Sequence, residues 1–199
     1  MAGINWDFIA QPGIEGEETH LTGYVPTDTS GFTVGSFDLG QHSKEDIRRI
    51  MQSYQNKHDM TYPLAEDTEL YKRISPYALN KTIDDKTAKK VKFTSDEIQY
   101  LTEAKRYEFV RKISIKTGWN DLDSPTKTIL ASVGWQYGLD SPTFDELWNK
   151  KGNKKKMAIY LRSKNKYKNR RNMEASYIDP LPIPVQEVMD ENNKIGVVK

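Results

Sequence analysis

The sequence predicts an α+β protein, a small β-hairpin set near the start of a largely helical chain. Three observations predict it. Between positions 21 and 41, β-favouring residues alternate with Gly, Pro and Asp. From Ser43 onward, apolar residues recur at helical spacing behind capping residues. Hydrophobic content is only 36% of 199 residues, but aromatic residues make up 11%, enough large rings to build a core.

Taken in order, Asn5 can cap a short helix running to Ala10, with Ile4, Phe8 and Ile9 at helical spacing. Pro12-Gly13 interrupts it, and Ile14-Glu15-Gly16 reads as a last turn ending at Gly16. Positions 21–38 are the β region. Thr22, Tyr24 and Val25 favour a first strand, 26–31 a turn, and Phe32, Thr33 and Val34 a second strand. Ser43 and Asp46 form an S-x-x-D variant of the capping box ahead of Ile47, Ile50, Met51 and Tyr54 on one face. Further helices are expected over 64–79, 95–118, 124–137, 143–150, 154–162 and 169–177. Pro180, Pro182 and Pro184 predict an extended tail. The expected organisation is one domain over 1–178, with a hairpin lobe at about 20–40 and a helical lobe at about 43–178, followed by a tail over 179–199.

Composition excludes several classes. With no cysteine there is no disulfide framework and no thiolate chemistry. The start of the chain lacks a basic and apolar leader pattern, and no run reaches membrane-spanning length, so neither Sec-type export nor membrane insertion is expected. His20, His42 and His58 are too scattered for a metal site by spacing. The net charge of +2 hides an asymmetry: no Lys or Arg precedes Lys44, and no acid lies between Leu147 and Met173. The basic stretch includes Arg170 and Arg171 and reads as a solvated helix face rather than a specific nucleic-acid site. Its field can steer an anionic polymer toward the acidic end.

Within that acidic end, Glu15 and Asp38 flank the β region, with the hydroxyl of Thr33 between them. Two carboxylates brought together by a tight β segment suit acid/base hydrolysis of a glycosidic bond. Glu15 is the candidate acid, kept protonated by burial and by neighbouring acids that no local base can pair. Asp38 is the candidate base and Thr33 a holder of water. On these residues alone, solvated or helix-capping acids are the plainer reading.

The strings I-E-G at 14–16, G-Y-V-P at 23–26 and S-G-F-T-V-G-S-F-D-L-G-Q at 30–41 resemble the signature of the pesticin-type muramidases, toxin relatives of the phage T4-type lysozymes. The C-terminal half adds a weaker likeness, ending in R-R-x-x-E-A from Arg170 to Ala175. The resemblance implies a lysozyme-like fold, peptidoglycan glycan strands as substrate and a Glu, Thr, Asp catalytic set falling on Glu15, Thr33 and Asp38. It also implies an inverting mechanism without cofactor or metal, acting on the β-1,4 bond between N-acetylmuramic acid and N-acetylglucosamine. Tyr24 and Tyr137 are the candidate sugar-binding rings. Two departures stand out: the chain is one residue shorter than its relatives between Thr33 and Asp38, and Phe32 replaces a small apolar residue. Asp28, in D-T-S-G-F-T, rivals Asp38 as base, and Glu17 and Glu18 are weaker rivals of Glu15. A catalytically inactive glycan-binding module is the alternative. The protein is expected to be a monomer made in the cytoplasm that reaches the wall or periplasm as a holin-released endolysin or a secreted effector. An effector would imply a cognate immunity or inhibitor protein.

Overall fold

The computed structural model describes residues 3–12, 14, 21–27, 30–58, 64–80 and 82–180, and the backbone of two short strands beyond them. The chain is mostly helical with a small antiparallel hairpin near its start, the lysozyme-like α+β arrangement. Helix α1 spans Trp6–Ala10, and the side chain of Asn5 accepts the Phe8 N–H at 3.0 Å. Strands β1 (Thr33–Val34) and β2 (Phe37–Asp38) form the hairpin. They are followed by α2 (Lys44–Lys57), α3 (Glu69–Ile74), α4 (Asp85–Ala88), α5 (Ser95–Ser114), α6 (Ser124–Tyr137), α7 (Pro142–Trp148), α8 (Lys154–Arg162) and α9 (Lys168–Ile178). Strands β3 (Val188–Met189) and β4 (Ile195–Gly196) pair in the tail.

The side chains form two cores joined by α5. One packs Phe32, Val34, Phe37 and Leu39 from the hairpin against α2, α3 and the first half of α5, where Leu101 and Ala104 are fully buried. The other gathers α6 to α9 around Trp119, Phe144 and Met157, and takes Phe109 and Ile113 from the second half of α5. Helix α1 docks on this second core, with Trp6 edge-on to Phe109 and Trp135 at 6.2 and 5.3 Å between ring centroids. Helix α6 is buried nearly all round, so it carries no amphipathic stripe. Its hydroxyls are used internally: Thr128 Oγ1 donates to the Ser124 carbonyl and accepts the Asn5 N–H at 2.9 Å, fixing the entry to α1.

Several sequence expectations shift. The helix expected over 64–79 divides into a 3-10 turn (Ala65–Asp67), α3 and a second 3-10 turn (Ser75–Tyr77). Thr68 restarts the helix by accepting the Tyr71 N–H at 3.1 Å, and Pro76 has no N–H to continue it. Helix α5 stops at Ser114 rather than Gly118. Helix α4, capped by Asp84, was not expected. The paired hairpin lies one turn later than the pattern suggested. Tyr24 meets Thr33 only through an isolated antiparallel bridge, whereas the continuous pairing is β1 with β2. Asp38 therefore sits on a strand. The tail, read as wholly extended, contains the β3–β4 pairing. Among the described residues no helix is long and apolar enough to cross a membrane.

Candidate functional site

The hairpin owes its register to its turn. Val34 pairs with Phe37, leaving Gly35 and Ser36 as a two-residue loop. Gly35 has φ +55° and Ser36 does not lie at positive φ, the pattern of a type II′ turn. A Cβ on Gly35 would also meet Thr102 Oγ1 of α5 at 2.7 Å. On the other side the Tyr24 hydroxyl donates to the Gly35 carbonyl at 2.7 Å, so the tip is held from both flanks.

Period-two alternation then sorts the side chains. Phe32, Val34, Phe37 and Leu39 are all fully buried on one face, which leaves Thr33 and Asp38 together on the other. Thr33 stands directly opposite Asp38. Both backbone groups of Thr33 are spent on Tyr24, at 3.0 and 2.8 Å. Its pairing with Asp38 is therefore of the non-hydrogen-bonded kind, in which side chains come closest. The short Gly35–Ser36 loop keeps Thr33 and Asp38 on the same face and in register. The large Phe32 is also accommodated: its ring stacks on Tyr77 at 4.1 Å and meets Phe93 edge-on at 6.3 Å.

Thr33 and Asp38 converge on the backbone of Gly31. Thr33 Oγ1 donates to the Gly31 carbonyl at 3.2 Å, and Asp38 Oδ1 accepts the N–H groups of Gly31 at 3.3 Å and Gly40 at 2.9 Å. Gly31 and Gly40 touch backbone to backbone; a Cβ on Gly31 would lie 2.4 Å from the Gly40 Cα. Asp38 Oδ1 is thus fixed, and it also caps the 3-10 turn Leu39–Gln41. Among the described residues no donor reaches Oδ2, so that oxygen can receive a proton or orient water.

The cations that answer this acidic region come from later in the chain. Lys105 of α5 lies 5.2 Å above the Phe37 ring, and its Nζ is 2.5 Å from His42 Nε2. Two bases that close cannot both hold a proton between them. Burial, then the Lys105 charge, push His42 down to about 4, so neutral His42 accepts from the ammonium. Burial, then Lys112, bring Lys105 down to about 8, while Glu108, Asp38 and Asp46 favour its charge.

A pH prediction follows from His42, which faces Lys105, Lys112 and Arg49 as well as Asp46. The unfolded chain takes up this proton near 6.5, the folded protein only near 4, so stability falls as pH drops through that window. At pH 4.5 the loss from this group is about 2 kcal/mol relative to pH 7.5. In urea titrations His42→Gln should lose correspondingly less than wild type over that range. Parallel losses in the two proteins would assign the acid sensitivity elsewhere. Glu108 and Asp123, held down to about 2, act only below about 4.5.

At the other end of the candidate set, Glu15 lies outside the described residues, as do Asp28, Glu17 and Glu18. Ile14 is described and buried, and its carbonyl accepts from Arg170 Nη1 at 3.0 Å. Arg170 belongs to a buried polar network on α9 and α6. Its Nε lies 3.1 Å from Glu174 Oε1, and its Nη2 donates to the Ser132 carbonyl at 2.9 Å and Oγ at 3.1 Å. Ser132 Oγ donates to Glu174 at 2.6 Å. Arg171 Nη1 lies 2.6 Å from Glu174 Oε2, and Nη2 donates to Gln136. Burial pushes the Glu174 carboxyl upward, and the two guanidiniums act against it. Arg170, Arg171 and Glu174 are 5%, 0% and 0% exposed, which corrects the reading of a solvated basic face at Arg170 and Arg171, while Lys154, Lys155, Lys156, Lys166 and Lys168 are exposed as expected. The signal was present as the i, i+4 spacing of Arg170 and Glu174.

The candidate sugar-binding rings are separated by role. Tyr24 is half-buried and anchors the hairpin tip through its hydroxyl. Tyr137, also half-buried, ends α6, with the Arg171 guanidinium 5.3 Å from its ring and Tyr167 edge-on. The structure therefore brings Thr33, Asp38 and Tyr24 together on the hairpin and places Tyr137 beside the network that holds Ile14.

A family model described as "Pesticin: Bacterial toxin homologue of phage lysozyme, C-term" matches residues 3–156. That span contains the hairpin, α5 and α6. No curated protein matches the chain.

Proposed function

The chain belongs to the pesticin family of phage-lysozyme homologues, and from that premise we propose that it is a muramidase acting on peptidoglycan. The observation that supports this most is the pairing of Thr33, itself buried, with the half-buried Asp38 on the hairpin face opposite its apolar residues. A fixed Oδ1 with an available Oδ2 suits a general base, and a hydroxyl across the strand pair suits a water-orienting group. In the proposed reaction Glu15 protonates the leaving glycosidic oxygen. Asp38 takes a proton from water, positioned with Thr33, as it attacks the anomeric carbon from the opposite face. The product inverts, and the proposal requires a Glu15–Asp38 carboxyl separation of about 6.5–9.5 Å. Tyr24 and Tyr137 would offer flat rings to the sugar faces.

A second reading has an observation behind it. Asp38 caps a 3-10 turn and ties Gly31 to Gly40, a structural task that an inactive glycan-binding module would also need. Product chemistry separates the two. Incubation with purified cell walls should lower turbidity and release fragments with new reducing ends at N-acetylmuramic acid, α-configured when trapped early. Wall binding without new reducing ends would establish the binding module instead.

A further inference from the structure

Among the described residues, two other than glycine take a left-handed backbone, Leu79 at φ 55° and Tyr167 at φ 59°. Bulky side chains rarely do so. Leu79 has a reason within the fold: its N–H donates to the carbonyls of Leu39 and His42 at 3.2 and 3.0 Å, closing the chain after the hairpin. The Tyr167 N–H makes no comparable bond among the described residues. Its ring is 50% exposed, so burial offsets only part of the strain. Strain that the fold does not offset is characteristic of ligand contacts.

The surroundings narrow the ligand. The loop from Ser163 to Asn169 contains Lys164, Lys166 and Lys168 and no acid. Lys164 reaches Glu146 at 3.8 Å. Lys166 and Lys168, both exposed, meet no carboxylate within salt-bridge distance among the described residues. Lys166 Nζ stands 5.2 Å from the centre of the Tyr167 ring.

This surface is continuous with the proposed catalytic region. Tyr137 meets the Tyr167 ring edge-on at 6.3 Å, and the Arg171 guanidinium lies 5.3 Å from the Tyr137 ring. Arg171 shares Glu174 with Arg170, and Arg170 holds the Ile14 carbonyl. A chain of contacts thus runs from the residue before the proposed acid to an exposed ring flanked in sequence by two lysines. A ligand that complements it has a flat apolar face for the ring and negative charge for the lysines.

We propose that Tyr167, Lys166 and Lys168 form a docking surface for the glycan strand beyond the hairpin, the ring taking a sugar face and the lysines the free carboxylates of an attached stem peptide. The choice of partner rests on the muramidase reading.

The test is calorimetric titration of the whole protein carrying Glu15→Gln, so that strands stay intact. The ligands are soluble glycan strands bearing stem peptides and the same strands stripped of peptide. Peptide-bearing strands should bind more tightly, by a margin that shrinks with added salt. Tyr167→Asn should weaken binding of both about tenfold. Asparagine tolerates the left-handed backbone, so the unfolding temperature should not fall and misfolding cannot account for the loss. Lys166→Gln combined with Lys168→Gln, at exposed positions, should weaken only the peptide-bearing strands, by about threefold. Affinity unchanged in both variants would overturn the proposal, as would no saturable binding of peptide-bearing strands, or equal affinity for the two kinds of strand. Tighter binding of a single-stranded oligonucleotide than of either strand would overturn it too, by assigning the surface to nucleic acid. Wall hydrolysis by wild type tests the premise separately. Clearing of walls beside any of these failures would leave the muramidase reading standing without this docking surface; binding as expected without clearing would keep the surface and remove the hydrolase.

Discussion

Glu15→Gln should leave a folded protein that hydrolyses walls about 10²–10⁴-fold more slowly than wild type, the range that a general acid contributes. The amide keeps the size of the side chain but has no proton to give the leaving oxygen. Asp38→Asn makes the complementary test. Its amide oxygen can still accept from the N–H groups of Gly31 and Gly40, so the cap and the Gly31–Gly40 contact are preserved. Only the carboxylate charge at the second oxygen is removed. A fall in kcat of similar size, with melting temperature held, assigns Asp38 to the chemistry. Asp38→Ala is the structural control: it should cost about 1 kcal/mol through the lost cap. Asp28→Asn decides between the rival bases. Full loss of activity there, with Asp38→Asn active, would move the base to Asp28 and leave Asp38 as a cap. Wild-type rates in Glu15→Gln would remove the acid assignment altogether.

These assignments were legible to different degrees for physical reasons. A hairpin near the start of the chain was legible, but its turn was expected over 26–31, whereas the tight turn lies at Gly35, which takes the positive φ that a two-residue loop needs. Which strand would pair with which was not legible. Thr22, Tyr24 and Val25 have the composition of a strand, but Tyr24 meets Thr33 through an isolated bridge rather than a ladder, and its hydroxyl donates to the turn. Similarly, 64–79 carries helical spacing throughout, yet Thr68 and Pro76 break it into three pieces. That broken segment supplies Tyr77 beneath Phe32, so the residue that departs from the family pattern has a local partner. The cations near the acidic end were the hardest to see. Lys105 and Arg170 lie more than sixty residues away in sequence from Asp38 and Ile14, and only the packing of α5 and α9 brings them there. A run of basic residues reads as solvated by default, and buried arginines within it are found only through their partners.

Those partners make Glu174 the position where a single substitution should cost most stability. Two guanidiniums and one carboxylate occupy a region with almost no solvent access. Glu174 lies within salt-bridge distance of both Arg170 and Arg171. Removing one member of a buried charged network leaves the remaining charge desolvated, at about 3–5 kcal/mol. Glu174→Ala should therefore lower the urea midpoint by that equivalent, and a loss below about 1 kcal/mol would show that the guanidiniums are satisfied without it. Arg170→Lys should separate packing from positioning. A lysine retains one positive charge but cannot present a planar fork to Glu174, the Ser132 carbonyl and the Ile14 carbonyl together. If Arg170 fixes the chain immediately before the proposed acid, Arg170→Lys should lower kcat more than KM changes, at temperatures where the protein remains fully folded. His42→Gln, which alters a different element, should leave kcat near wild type. Unchanged kcat in Arg170→Lys would confine the network to stability, and the position of Glu15 would then have to be set by contacts other than the one that holds Ile14.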